Sequence, residues 1–156
     1  MQLLILIRHS LAEEYSSQGD FFRQLTAAGT ALAIKTAIGL QPYLRNKPVI
    51  VCSAALRAYQ TAACMARQLN ISEESIQADD FYYSASARQI YDRLQDCFQP
   101  AELLLFCGHN PAISELVNSI SSLSVVLRPA EAAVIPLGFL PAQPTSAALP
   151  ALVSPY

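Results

Sequence analysis

Three runs in this 156-residue chain are apolar at every position: Leu3 to Ile7, Val49 to Cys52 and Leu103 to Cys107. A strand wet on one face alternates apolar and polar residues. Unbroken runs instead mark strands buried on both faces, the condition of a parallel sheet covered by helices. A fourth strand is expected around Ala132 to Ile135, closed by Pro136. Helical spacing separates the runs. Ala27, Ala31, Ile34 and Ile38 form one stripe, with Thr26 as N-cap. Tyr59, Ala62, Ala63, Ala66 and Leu69 form a second, and Ile90, Leu94, Cys97 and Phe98 a third. Ile113, Leu116, Val117 and Ile120 form a fourth, with Asn110 as N-cap and Pro111 at the first helical position. Strands alternating with helices predict an α/β fold: a mostly parallel central sheet with helices on both faces and no large lid insertion.

The length suits a single domain over residues 1–156. Hydrophobic residues make up 53% and charged residues 14%, against a usual charged share of ~25%, so the chain has ample material for a core. A membrane-spanning helix needs ~20 apolar residues, and Arg8 closes the Leu3–Ile7 run long before that. Met1 and Gln2 offer no basic start to a signal peptide. The net charge is −2, and the eight arginines and two lysines form no stripe, which disfavours nucleic-acid binding. No pair of the four cysteines has C-x-x-C spacing. Cys52 and Cys107 end apolar runs and read as buried thiols of a reducing compartment, so the expected location is the cytoplasm. Half of the ten prolines follow residue 135, which predicts a meander, an edge strand or a loose tail over 136–156.

The only two histidines, His9 and His109, each follow the end of an apolar run. In open α/β sheets ligands bind beyond the carboxyl ends of the strands. Two parallel strands would bring both imidazoles to one edge, and the run ending at Cys52 would bring Arg57 there as well. The expected cluster is Arg8, His9, Arg57 and His109, which has two permanent cations and two titratable rings. Such a set matches a phosphate dianion: arginine forks grip oxygens in pairs, one imidazole can attack phosphorus and the other can donate to a non-bridging oxygen. A lone histidine or arginine after a strand is ordinarily a loop residue; the convergence of four is what points to chemistry. A metal site is disfavoured, since no third ligand accompanies the histidines and the arginines would repel a cation.

These segments resemble the histidine phosphatase superfamily, which includes the phosphoglycerate mutases. Leu6-Ile7-Arg8-His9-Ser10 is similar to its Arg-His-Gly opening. Arg23-Gln24-Leu25-Thr26-Ala27-Ala28-Gly29 is similar to its Arg-x-Leu-Thr-x-x-Gly segment. Ser53 to Ala62 is similar to its Ser-x-x-x-Arg-Ala-x-Gln-Thr-Ala segment, and Gly108-His109-Asn110-Pro111 to its second histidine motif. The four motifs keep their order over roughly residues 3 to 136, and the short length looks most like the SixA-type phosphohistidine phosphatases. The resemblance implies His9 as a nucleophile that is transiently phosphorylated. Arg8, Arg57 and His109 then hold the phosphoryl oxygens, and Arg23 and Ser53 line the phosphate pocket, with a surface ion pair the alternative for Arg23. It implies no metal and no other cofactor.

Two departures stand out. Ser10 replaces the glycine that usually follows the histidine, a steric cost if that position needs positive φ. Mutase-like members use a mid-chain glutamate as general acid; here the region reads Ala78-Asp79-Asp80-Phe81-Tyr82. Asp79 or Asp80 can serve, and a solvated turn or helix-cap pair explains them equally well. An alkoxide leaving group needs a proton, whereas the imidazole of a phosphohistidine can be protonated on its own ring. A weak acid and an open mouth therefore favour phosphohistidine on a protein, such as a histidine-phosphotransfer domain. The alternatives are a small phosphate ester as substrate and a non-catalytic phosphate-binding module.

Overall fold

The apolar runs become neighbouring strands of one six-stranded sheet. The computed structural model describes residues 2–98, 101–137 and 149–156. In chain order the strands are β1 (Gln2–Arg8), β2 (Val49–Ser53), β3 (Gln77–Asp79), β4 (Leu103–Gly108), β5 (Ala132–Leu137) and β6 (Ala151–Val153). The helices are α1 (Ala27–Leu40), α2 (Leu56–Gln68), α3 (Ala87–Cys97) and α4 (Ala112–Ile120), and Asp20–Phe22 and Asp80–Tyr83 form short 3-10 turns. The spatial order is β3-β2-β4-β1-β5-β6. The four strands from β3 to β1 run parallel, and β5 runs antiparallel to its neighbours β1 and β6. No described helix is long and apolar enough to cross a membrane.

The unbroken apolar runs are explained by two cores, one on each face of the sheet. Ile5, Ile7, Ile50, Cys52, Leu103, Leu105 and Cys107 face α1 and α2, while Leu4, Leu6, Val51, Leu104 and Phe106 face α3 and α4. Each large side chain buried in this way contributes ~1.5–3 kcal/mol. Cys52 and Cys107 are buried free thiols, opposite each other across β2 and β4.

Helix α1 departs from expectation. Thr26 does cap it, accepting from the Gly29 amide at 3.0 Å. The buried face, however, is Gly29, Ala33, Thr36, Ala37 and Leu40 rather than the stripe through Ala27, Ala31, Ile34 and Ile38. Ile34 and Ile38 are exposed. Small residues face inward because α1 packs against α2, whose own buried residues include Ala58, Ala62, Ala63 and Ala66. Close helix contact selects small side chains over large ones, so the largest apolar residues mark the wrong face.

Pro136 does not close the fourth strand; it lies inside β5, opposite Leu3. Pairing of β6 covers only Ala132–Val134, so among the described residues β5 has no partner on that side at Pro136, where a missing N–H is tolerated. Part of the expected C-terminal meander is thus the edge strand β6. The remainder of that expectation, residues 138–148, lies outside the described residues.

Candidate active site

Strand register assembles the site. Along β1 and β4, Leu3 pairs with Leu103 and Arg8 with Gly108, so His9 and His109 follow at the same level. The chain leaving β1 continues into α1 on one face, and the chain leaving β4 continues into α4 on the other. The strand ends between them form the crevice where such sheets take ligands. Gly108 has no room for a Cβ, which would sit 2.7 Å from the Phe106 ring. Gly29 is equally constrained, with a Cβ falling 2.0 Å from the Leu11 carbonyl oxygen; this close approach docks the start of α1 on the loop after His9.

Ser10 sits comfortably where glycine was expected, because the positive-φ residues among those described are Gly19, Asn70 and Ala130. Its amide donates to Thr61 Oγ1 at 3.0 Å and its hydroxyl to the Gly29 carbonyl at 2.6 Å. Thr61 in turn donates to the Arg57 carbonyl at 2.7 Å, tying the His9 loop to the first turns of α2. Ala130, with φ 65°, donates its amide to the carbonyls of Arg8 and His9. A left-handed alanine costs on the order of 1 kcal/mol, here offset by bonds that fix the backbone beneath the site.

His9 Nδ1 lies 2.8 Å from the Ser10 carbonyl, which can only accept, so Nδ1 carries the proton and Nε2 presents its lone pair. Arg57 Nε donates to that Nε2 at 3.4 Å. The His109 ring centroid is 5.1 Å from that of His9. Burial pushes His9 down to about 4, with Arg57, Arg8 and Arg23 adding to the effect and the Ser10 bond opposing it. Burial, then His9 and Arg57, push His109 down to about 3. Both rings are neutral at pH 7. Arg8 Nη1 donates to the Leu127 carbonyl at 2.9 Å, which also accepts from Asn110. Arg8 Nε and both ring nitrogens of His109 are buried and have no hydrogen-bond partner among the described residues. A buried polar group left this way costs ~1–3 kcal/mol, so these are groups poised for a polar ligand.

Arg23 stands at the same site: its Nε is 2.9 Å from Asp20 Oδ1, and its charge is felt by both imidazoles. Other expectations land elsewhere. Ser53 is fully buried and its hydroxyl accepts from the Ala55 amide at 3.2 Å, so it shapes the turn into α2 and has no surface to line a pocket. Asp79 caps the Asp80–Tyr83 turn through the Phe81 amide and pairs with Arg93 on α3. Asp80 is exposed in that turn. Asn110 is not the N-cap of α4: Pro111 holds that position, and Asn110 Oδ1 accepts from the Ser114 hydroxyl at 2.6 Å instead. The helix instead uses the His109 carbonyl, which accepts from the Ile113 amide at 2.9 Å.

Two site residues escape the sequence reading. Asp20 receives Arg57 Nη1 on its carbonyl at 2.7 Å and Nη2 on its carboxylate at 3.0 Å. Tyr83 donates its hydroxyl to the same carboxylate at 2.7 Å and sets its ring edge-on to His109 at 5.6 Å. Asp20 lies three residues before Arg23, the one signal that could have marked it. No group of three or more His, Cys, Asp and Glu among the described residues is arranged to hold a metal ion.

No family model matches the chain, and no curated protein matches it by sequence. Solved structures do match. The protein histidine phosphatase SixA complexed with tungstate superimposes with a TM-score of 0.80 at 19% identity, over 99% of this chain and 97% of that one. The chain has the SixA fold. SixA of Agrobacterium tumefaciens aligns at 24% identity and a TM-score of 0.71, over 86% of this chain and 91% of that one. The mycobacterial glucosyl-3-phosphoglycerate phosphatase shares the architecture more distantly, at 14% identity and a TM-score of 0.63 over 87% and 90%. The near-complete mutual coverage with the tungstate-bound SixA leaves no room for a large insertion in either chain, as the spacing of the motifs predicts.

Proposed function

We propose that the protein is a cytoplasmic phosphatase that hydrolyses phosphohistidine on a protein through a covalent intermediate on His9. One observation carries the reading: a neutral His9 held with Nε2 free of its proton, beside Arg8, Arg57 and the unpartnered nitrogens of His109. Nε2 attacks phosphorus as the P–N bond to the substrate imidazole breaks. The leaving ring, protonated on its other nitrogen, departs neutral. Because His9 keeps its Nδ1 proton on the Ser10 carbonyl, the new species is a phosphoimidazolium. That cationic ring is a good leaving group when water attacks phosphorus in the second step and releases inorganic phosphate. Arg8, Arg57 and His109 hold the non-bridging oxygens throughout.

The acids favour P–N over P–O cleavage. Asp20, the carboxylate at the site, is held below the usual range by the Tyr83 hydroxyl and by Arg57 and Arg23, so it is a poor proton donor. Asp79 is engaged by Arg93. The test is turnover of a phosphohistidine-bearing phosphotransfer domain beside that of a sugar phosphate, with acid-free trapping of labelled enzyme from a small phosphoramidate. Label on His9 and faster P–N turnover are expected. Faster sugar phosphate turnover would move the substrate to small esters, and no turnover of any substrate would leave a phosphate-binding module.

A further inference from the structure

Arg57 is already occupied. Its side chain is 7% exposed, and three of its N–H bonds are spent on the chain itself: one on His9 Nε2 and two on the carbonyl and carboxylate of Asp20. Asp20 is anchored independently of Arg57, by the Tyr83 hydroxyl on Oδ2 and by Arg23 on Oδ1. Its side chain is 54% exposed, so it reaches Arg57 from the solvent side of the crevice. A buried guanidinium needs a counter-charge, and Asp20 supplies one from within the chain.

We propose that Asp20 is a resident counter-ion that competes with tetrahedral oxyanions for Arg57 and so keeps the affinity of the site for free phosphate low. This rests on the reading of the crevice as a phosphoryl site. A carboxylate and a phosphate both seek the Nη donors of Arg57, and both are anions, so each weakens the other's hold. With both imidazoles neutral, Arg8, Arg23 and Arg57 opposed by Asp20 leave the crevice two positive charges. That balances a phosphoryl dianion without excess. With Asp20 uncharged there would be three, and inorganic phosphate would be retained after each turnover. Asp20 is thus a positioning residue that sets product release and discriminates against free phosphate, while a protein substrate adds contacts beyond the phosphoryl group.

The sign of one measurement separates this from a scaffolding role. Binding of tungstate and of inorganic phosphate is measured by calorimetry on the parent, Asp20→Asn, Asp20→Glu, Tyr83→Phe and Arg57→Ala proteins. Counter-ion competition predicts that Asp20→Asn binds both anions about tenfold more tightly, with stronger product inhibition of turnover. It predicts that Asp20→Glu, which keeps the charge, stays within about threefold of the parent, and that Tyr83→Phe, which removes one anchor of the carboxylate, tightens binding about twofold. Were Asp20 only a strut for Arg57, Asp20→Asn would bind the anions more weakly or unchanged, and that result overturns the proposal. The underlying reading fails differently: a parent that binds neither anion, or binds them as well after Arg57→Ala, has no phosphoryl site in this crevice.

Discussion

Two corners of the sheet carry clustered charge, and they differ in what that charge is doing. Against β3 and α3 lies an open hollow of about 370 Å³, lined among others by Asp79, Tyr82, Arg93 and Asp96. Its cation is spoken for: Arg93 pairs with Asp79 and lies 4.7 Å over the Phe81 ring. The crevice between β1 and β4 has more unspent bonding. There Arg8 Nε and both nitrogens of His109 are buried without partners among the described residues, and His9 Nε2 accepts from Arg57. Charge alone does not separate the two places. Hydrogen-bond capacity left unsatisfied in a buried place singles out the crevice, because folding does not leave such groups open without cost.

The sharpest way to break this contrast is His9→Ala. Removing the proposed nucleophile should lower kcat at least about a thousandfold and abolish the labelled intermediate, measured by steady-state turnover and phosphoramidate trapping. Next in size are Arg8→Ala and Arg57→Ala, each expected to cost about 10²–10³ in kcat/KM through lost stabilisation of the phosphoryl oxygens. Arg93→Ala in the hollow should change turnover by less than about threefold. A loss from Arg93→Ala matching that from Arg57→Ala would show that the hollow, not the crevice, does the work.

A pH series sharpens the same contrast with a smaller effect. Protonated His9 cannot attack, so turnover should hold from neutral pH down to about 5 and fall as pH drops through about 4. Stability follows the depressed values. From about 6.5 down to about 4 for His9 and about 3 for His109, the unfolded chain binds protons that the folded rings refuse, so stability declines as pH falls across that window. Replacing His109 with Asn should flatten part of that decline in thermal melts.

The strands and the four basic residues were legible because each left a local mark. A strand buried on both faces has no polar residue to interrupt it, and a residue just beyond its end has little freedom in where it points. The inner face of α1 left no such mark: the contact with α2 selects Gly29, Ala33 and Ala37, and hydropathy ranks those below the exposed Ile34 and Ile38. Asp20 and Tyr83 lie in short turns without periodicity and meet only in space, 63 residues apart in sequence. Ser53 shows the opposite failure, a motif position whose side chain is spent on its own turn.

The smallest effect is expected at Asp79, which lines the hollow, and at its neighbour Asp80, and it bears most directly on substrate. Asp79→Asn weakens a partly exposed ion pair and a turn cap, together about 1 kcal/mol of stability, read as a small shift in Tm. Neither Asp79→Asn nor Asp80→Asn should change turnover of a phosphohistidine protein by more than about twofold, because the leaving imidazole carries its own proton. Sugar phosphate turnover, measured in parallel, should be equally indifferent if no acid reaches the crevice from this corner. Suppose instead that one variant lost about tenfold or more on the ester and nothing on the phosphoramidate. The corner that looks self-contained would then be delivering a proton to the crevice, and P–O chemistry would regain its claim on this protein.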